Sequence, residues 1–102
     1  MARQGLITQL DAGTRPEKAY EAAEATLKQL GWEVYKKRTF AFLVEARMTT
    51  DEGYILANII VKVFGNPEIN LTIKSDTASQ ATVDAKAQQI MGTLEKNLGM
   101  QK

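Results

Sequence analysis

Tyr54-Ile-Leu-Ala-Asn-Ile-Ile-Val-Lys-Val-Phe64 is the stretch of sequence that decides the fold. It is rich in β-branched residues and is bounded by Gly53 and Gly65, so it is predicted to form a β-strand. Because successive side chains of a strand point to opposite faces, its residues divide into two sets. One set is wholly apolar and is predicted to face the core: Ile55, Ala57, Ile59, Val61 and Val63.

The second set of this strand is also mostly apolar. It consists of Tyr54, Leu56, Asn58, Ile60, Lys62 and Phe64. A strand whose second face meets water normally carries polar residues there. We therefore expect this second face to contact a partner chain, a ligand or a nucleic acid.

Length and composition indicate a single domain over residues 1–102 and disfavour several chemistries. The chain has no Cys and no His, so we expect no disulfide, no structural zinc site, no cofactor and no enzymatic activity. The carboxylates of Asp51 and Glu52 lie in a predicted turn, where no burial is expected to raise a pKa for acid–base catalysis. The formal net charge is only +1, so any binding site for nucleic acid must be a local patch.

The sequence shows no signal for a membrane or for export. No apolar run approaches the ~18 residues of a membrane-spanning segment. Residues Met1 to Gly5 lack the apolar stretch of a signal peptide. We expect a cytoplasmic protein without a membrane partner, while a leader removed before this start stays an open alternative.

Two amphipathic helices are predicted, at roughly residues 15–30 and 79–98. The first is preceded by Thr14-Arg-Pro-Glu17, which has the pattern of a capping box, and is followed by Gly31, a candidate left-handed C-cap. The second is preceded by several N-cap candidates in Asp76-Thr-Ala-Ser79. The apolar stripes predicted to cover the core are Tyr20, Ala23, Leu27 and Leu30 in the first helix, and Val83, Ala87, Ile90, Leu94 and Leu98 in the second.

Four further strands accompany the long one. They are predicted at residues 6–11, 32–38, 40–48 and 68–75. In the third of these, one face is predicted to carry Phe40, Phe42, Val44, Ala46 and Met48. The resulting order is β-α-β-β-β-β-α. We therefore predict an α+β fold with one antiparallel sheet of about five strands and two helices on one face.

Two short motifs and the element order resemble TATA-binding-protein-like domains. Arg15-Pro-Glu-Lys-Ala-Tyr20 and Leu30-Gly-Trp-Glu-Val34 resemble the opening of small uncharacterised bacterial domains of this class. In element order the resemblance extends over nearly the whole chain, and a shortened version of the order is similar to helix-grip ligand-binding folds. TATA-binding proteins grip DNA with the open sheet of two joined units, so the resemblance implies a dimer for a single unit. It implies a fold more than a function.

The sheet face opposite the helices is the candidate functional surface. Two copies of the chain can bury Leu56 and Ile60 against each other, and this homodimer is the favoured prediction. In such a dimer, Lys62 and Arg47 are expected near Glu33 or Glu45 of the partner subunit. The residues predicted to form this interaction face are Tyr35, Leu43, Arg47, Leu56, Asn58, Ile60 and Lys62.

Two alternatives remain open at the level of the sequence. The first is nucleic-acid binding through the cations of the same face, Lys37, Arg47, Lys62 and Lys74, which Glu33, Glu45 and the near-neutral net charge oppose. The second is a small apolar ligand held between helix and sheet, bounded by Trp32, Phe42 and the last helix. Because the chain is short, Trp32 and Tyr20 are expected to belong to the core instead.

Overall fold

A computed structural model describes residues 1–99 of the chain. The elements are β1 (Ala2–Gln9), α1 (Pro16–Gln29), β2 (Glu33–Arg38), a 3-10 turn (Thr39–Ala41), β3 (Leu43–Thr50), β4 (Gly53–Lys62), β5 (Glu68–Ser75) and α2 (Gln80–Asn97). The sheet has the strand order β1-β5-β4-β3-β2, and every neighbouring pair is antiparallel. The predicted α+β class, with one five-stranded antiparallel sheet and two helices, is confirmed.

The long strand that the sequence singled out is β4, which lies between β3 and β5 in the sheet. Its predicted register is confirmed, because Ile59 is fully buried and Val61 is 3% exposed. Ile59 is paired with Val44 on one side and Leu71 on the other, and both of these residues are also buried. One continuous apolar layer therefore runs across the centre of the sheet beneath the helices.

The first helix begins differently from the predicted capping box. Its N-cap is Arg15, whose side chain makes no capping hydrogen bond, and Thr14 instead closes a turn by donating its N–H to the Asp11 carbonyl at 2.9 Å. The reason is Pro16, which holds the preceding residue in an extended conformation and occupies the first helical position. The helix ends as predicted, with Gly31 in the left-handed region at φ +87°.

The predicted strand at residues 40–48 begins three residues later than expected. Residues Thr39–Ala41 form a 3-10 turn, and Phe42 adopts a left-handed conformation at φ +50°. Phe40 consequently lies outside the core at 102% exposure, whereas Phe42 contacts Tyr20 edge-on. The chain has to reverse direction between β2 and β3, and no Gly or Pro marks that reversal in the sequence.

A bulge in β2 corrects the predicted facing of its lysines. The pairing with β3 shifts between Val34 and Lys36, which leaves Tyr35 as an additional residue. Lys37 is therefore paired with the buried Val44 and lies on the helix side of the sheet, not on the opposite face as predicted. Lys36 takes the position opposite Glu45.

Neither helix within residues 1–99 combines the length and the hydropathy needed to cross a membrane.

Candidate interaction face

The open face is the side of the sheet that carries the outward residues of the five strands, opposite the buried layer. Three rows of residues cross the open face from β1 through β5 and β4 to β3. The apolar row contains Ile7, Asn70, Ile60 and Leu43; the polar row contains Gly5, Thr72, Asn58 and Glu45; and the cationic row contains Arg3, Lys74, Leu56 and Arg47.

The apolar row exposes aliphatic side chains on this face. Ile7 is 62% exposed and Ile60 is 41% exposed, while Leu43 is half-buried. Since neighbouring strands lie about 4.8 Å apart, the row extends over roughly 14 Å. Only Asn70 interrupts it.

Two shallow depressions lie on the open face and share Leu56 and Lys74. One has a volume of about 240 Å³ and includes Asn58 and Thr72 of the polar row. The other has a volume of about 540 Å³ and extends past Tyr54 towards the end of β5. The surface is therefore uneven enough for a partner's side chains to enter.

Ion pairs within the chain neutralise the charges on the β2–β3 side of this face. Arg47 Nε donates to Glu33 Oε1 at 2.8 Å, and this hydrogen bond holds the pKa of Glu33 below its ordinary value. The Arg47 guanidinium also lies 5.6 Å from the centre of the Tyr35 ring. Lys36 Nζ lies 3.7 Å from Glu45 Oε2. Glu33 and Glu45 thus have partners within their own chain, whereas the sequence analysis expected them to pair across a dimer.

The four cations predicted for nucleic-acid contact do not form a cluster. Lys37 pairs with Glu24 of α1, its Nζ lying 3.1 Å from Oε2, and Arg47 pairs with Glu33. The hydrogen bonds from Lys28 and Lys37 lower the pKa of Glu24. Lys62 is opposite Glu68 and Lys74 lies six residues further along β5, a separation of about 20 Å along the strand.

All seven residues predicted for the interaction face lie on the open face. The pairing places Leu43, Arg47, Leu56, Asn58, Ile60 and Lys62 there, and the Arg47 contact places Tyr35 there. Sequence reasoning missed Arg3, Ile7 and Lys36. Arg3 was missed because β1 starts at Ala2, four residues before the predicted strand. Lys36 was missed because the bulge has no sequence signal. The alternation of Ile7 with the inward Leu6 was the available signal for Ile7.

Apolar side chains line the region between helices and sheet. Ile90 and Leu94 of α2 are fully buried, and Tyr20 and Trp32 belong to the core as predicted. Tyr20 Oη and Trp32 Nε1 are buried without a hydrogen-bond partner among residues 1–99. Buried polar atoms of this kind are uncommon and call for an explanation.

No group of three or more Asp and Glu side chains within the described part of the chain is arranged to hold a metal ion.

Comparison with known proteins adds a fold relationship. No protein-family model and no curated protein sequence matches this chain. The fold is similar to the crystal structure of Ara h 8.0201, with a TM-score of 0.57 and 11% sequence identity over 96% of this chain and 97% of that chain. At this identity the similarity concerns the fold alone, and the resemblance to TATA-binding-protein-like domains stays a prediction.

Proposed function

We propose that this chain is a non-enzymatic interaction module that forms a homodimer through the open face of its sheet. The observation that carries the proposal is the apolar row, in which Ile7 and Ile60 are 62% and 41% exposed on a face that neither helix covers. Monomeric soluble proteins rarely expose contiguous apolar patches larger than a few hundred Å², and larger patches mark interaction surfaces.

The charges on the β2–β3 side of the open face are compatible with burial against a second copy. Arg47 with Glu33 and Lys36 with Glu45 would enter an interface as neutral pairs. An unpaired charge would lose its hydration without compensation, which is costly. The self-complementary contact that a two-fold axis requires is available at Ile60 and Leu56, on the central strand β4.

The size of the open face predicts a dimer of modest affinity. Five strands at about 4.8 Å spacing and six residues at about 3.3 Å rise define a face of roughly 20 Å by 20 Å. Two such faces would bury roughly 800 Å² in total, which is below the ~1,200 Å² at which stable protein interfaces begin. We therefore expect dissociation upon dilution rather than an obligate dimer.

The test is the mass in solution, measured by light scattering over a range of concentrations. The Leu56→Asp/Ile60→Asp variant should be a monomer at concentrations where the natural chain is a dimer, because each copy would bring two carboxylates into the interface in place of apolar side chains and burial would remove their hydration. The matched control is Ala81→Asp/Ala85→Asp, which adds the same charge at exposed positions of α2 and should leave the dimer intact.

A natural chain that is monomeric at high micromolar concentration contradicts the proposal. Tight binding of that monomer to DNA or RNA, weakening steeply with salt, would instead favour the nucleic-acid alternative.

Binding of a small apolar ligand between helix and sheet is the second candidate function. The observation that favours it is the pair of buried, unpartnered polar atoms, Tyr20 Oη and Trp32 Nε1. Both are hydrogen-bond donors, and an acceptor on an otherwise apolar ligand would satisfy them. Phe42, which the sequence analysis placed at the border of this region, contacts the Tyr20 ring at a centroid distance of 5.9 Å.

Trp32 provides the readout for this second candidate, because it is the only tryptophan of the chain. An anilinonaphthalene dye bound next to it should quench its emission by energy transfer, and Tyr20→Phe should weaken that binding. Tyr54→Phe, which removes the same hydroxyl at an exposed position, is the control. Unchanged Trp32 emission at saturating dye would exclude this dye class from the core.

A further inference from the structure

Two phenylalanines protrude from one end of the molecule. Phe40 is 102% exposed and Phe64 is 84% exposed. The segment 39–42 enters β3 and the segment 63–67 leaves β4, and the Val61 N–H donates to the Phe42 carbonyl at 3.0 Å, so both segments lie beyond the same end of the sheet. We name these two segments the aromatic end.

The backbone of the aromatic end includes an unfavourable conformation two residues after Phe40. Phe42 has φ +50°, the only positive φ of a residue other than glycine within residues 1–99. Left-handed conformations are disfavoured for residues with a bulky side chain and persist where the surroundings impose them. Here the Tyr20 contact and the bond to Val61 keep Phe42 in place, and the preceding 3-10 turn exposes Phe40.

Cations accompany the two phenylalanines. Arg38 ends β2 and Lys62 ends β4, and neither forms an ion pair within the described part of the chain. The acidic groups at this end include Asp11, Glu68 and Glu95. The Glu68 carboxylate accepts hydrogen bonds from the amides of Gln9 and Asn70, and the Glu95 carboxylate accepts one from the Thr8 hydroxyl.

We propose that the aromatic end binds the surface of membranes that contain anionic lipids. Side chains that protrude from two separate segments suit a soft interface, whereas a folded protein partner would need a matching pocket for each ring. Aromatic rings partition to the level of the lipid headgroups, and basic side chains beside them are attracted to anionic lipid. Such peripheral binding needs no membrane-spanning helix. The aromatic end shares Lys62 with the open face, but its two phenylalanines lie beyond the end of the sheet.

This inference differs from the sequence-based expectation of no membrane partner. That expectation followed from the net charge of +1 and from the absence of a long apolar run. A local arrangement of two rings and two cations is invisible to both measures, because residues 38–40 and 62–64 are far apart in the sequence.

The test is co-sedimentation of the full chain with vesicles of phosphatidylcholine containing about 30% phosphatidylserine, next to vesicles of phosphatidylcholine alone. We expect binding to the anionic vesicles that weakens with added salt. The Phe40→Ser/Phe64→Ser variant should lose most of this binding, and Arg38→Gln/Lys62→Gln should weaken it about tenfold or more. The control is Tyr54→Ser, which removes a 64% exposed aromatic residue near the opposite end and should bind as the natural chain does.

Three outcomes would overturn the proposal. The first is that the natural chain stays in the supernatant with anionic vesicles. The second is that the double phenylalanine variant binds these vesicles as well as the natural chain does. The third is that this variant has a lower mass than the natural chain in solution without lipid. The last result would assign the aromatic end to a contact between copies of the chain.

Discussion

Ile59 and Ile60 are adjacent in the chain and identical in chemistry, yet they lie on opposite faces of β4. Ile59 is fully buried, whereas Ile60 is 41% exposed. We predict that Ile59→Ala lowers the free energy of unfolding by about 2–4 kcal/mol, because it removes a packed side chain and leaves a cavity. Urea denaturation at low protein concentration measures this as a lower midpoint at unchanged slope.

The matched control is Ile60→Ala, which makes the same change on the open face. It should cost less than about 1.5 kcal/mol in the monomer, since part of that side chain already meets water. Equal losses for the two variants would show that the register of β4 is off by one residue, which would exchange the two faces.

The turn between β3 and β4 requires glycine at position 53. Its φ is +100°, and a Cβ at this position would overlap Thr77 Oγ1. Gly53→Ala should therefore destabilise the fold by more than the ~1–2 kcal/mol of a left-handed backbone alone. Gly31→Ala is the comparison, because φ is +87° there and the nearest atom to the added Cβ is Met48 Cε at 4.0 Å. Equal losses of melting temperature in the two variants would contradict the overlap of the added Cβ with Thr77.

At the scale of elements, the sequence predicted those features that depend on a repeated pattern. The alternation in β4 spans enough residues to define one register, and it did so correctly. The 3-10 turn at residues 39–41 and the bulge at Tyr35 each involve only a few residues, and no Gly or Pro marks them. The predicted capping box of α1 was also wrong, because Pro16 determined the start of the helix and the pattern that begins at Thr14 did not.

Glu52 connects two elements that are distant in the sequence. Its Oε1 accepts the Ser79 N–H at 2.7 Å and its Oε2 accepts the Thr82 hydroxyl at 2.5 Å, so the β3–β4 turn is joined to the start of α2. These bonds lower the pKa of Glu52 from its ordinary value of 4.5, the Thr82 bond contributing most. A carboxylate at a helix N-terminus is also favoured by the helix dipole.

We predict that Glu52→Gln destabilises the protein at neutral pH but not in strong acid. Because the folded-state pKa is lowered, the stabilisation by Glu52 is complete above pH 4.5 and is lost as the pH falls through the lowered value. The difference in urea midpoint between natural chain and variant should therefore shrink below pH 4.5. The neighbouring Asp51→Asn, which removes a carboxylate that makes neither bond, is the control. A difference that stays constant with pH would mean that the charge of Glu52 contributes nothing.

At the scale of the whole molecule, the sequence predicted the open face but not its charge arrangement. The seven interaction residues followed from alternation and from the expectation that both helices cover one face. The pairing of Arg47 with Glu33 depends on the register between β2 and β3, and the facing of Lys37 depends on the bulge. The aromatic end depends on the turn that exposes Phe40. Tertiary geometry of this kind has no periodic signal in one sequence.

A homodimer should make the stability of the molecule depend on its concentration. Unfolding of a dimer releases two chains, so dilution favours the unfolded state by mass action. We predict that the melting temperature rises with protein concentration from the low to the high micromolar range. For Leu56→Asp/Ile60→Asp the melting temperature should stay constant with concentration. Because Leu56 and Ile60 lie outside the buried core, this variant should still fold. The Ala81→Asp/Ala85→Asp control should retain the concentration dependence. If the natural chain melts at the same temperature at every concentration, the open face is exposed to water in solution and the homodimer is not formed.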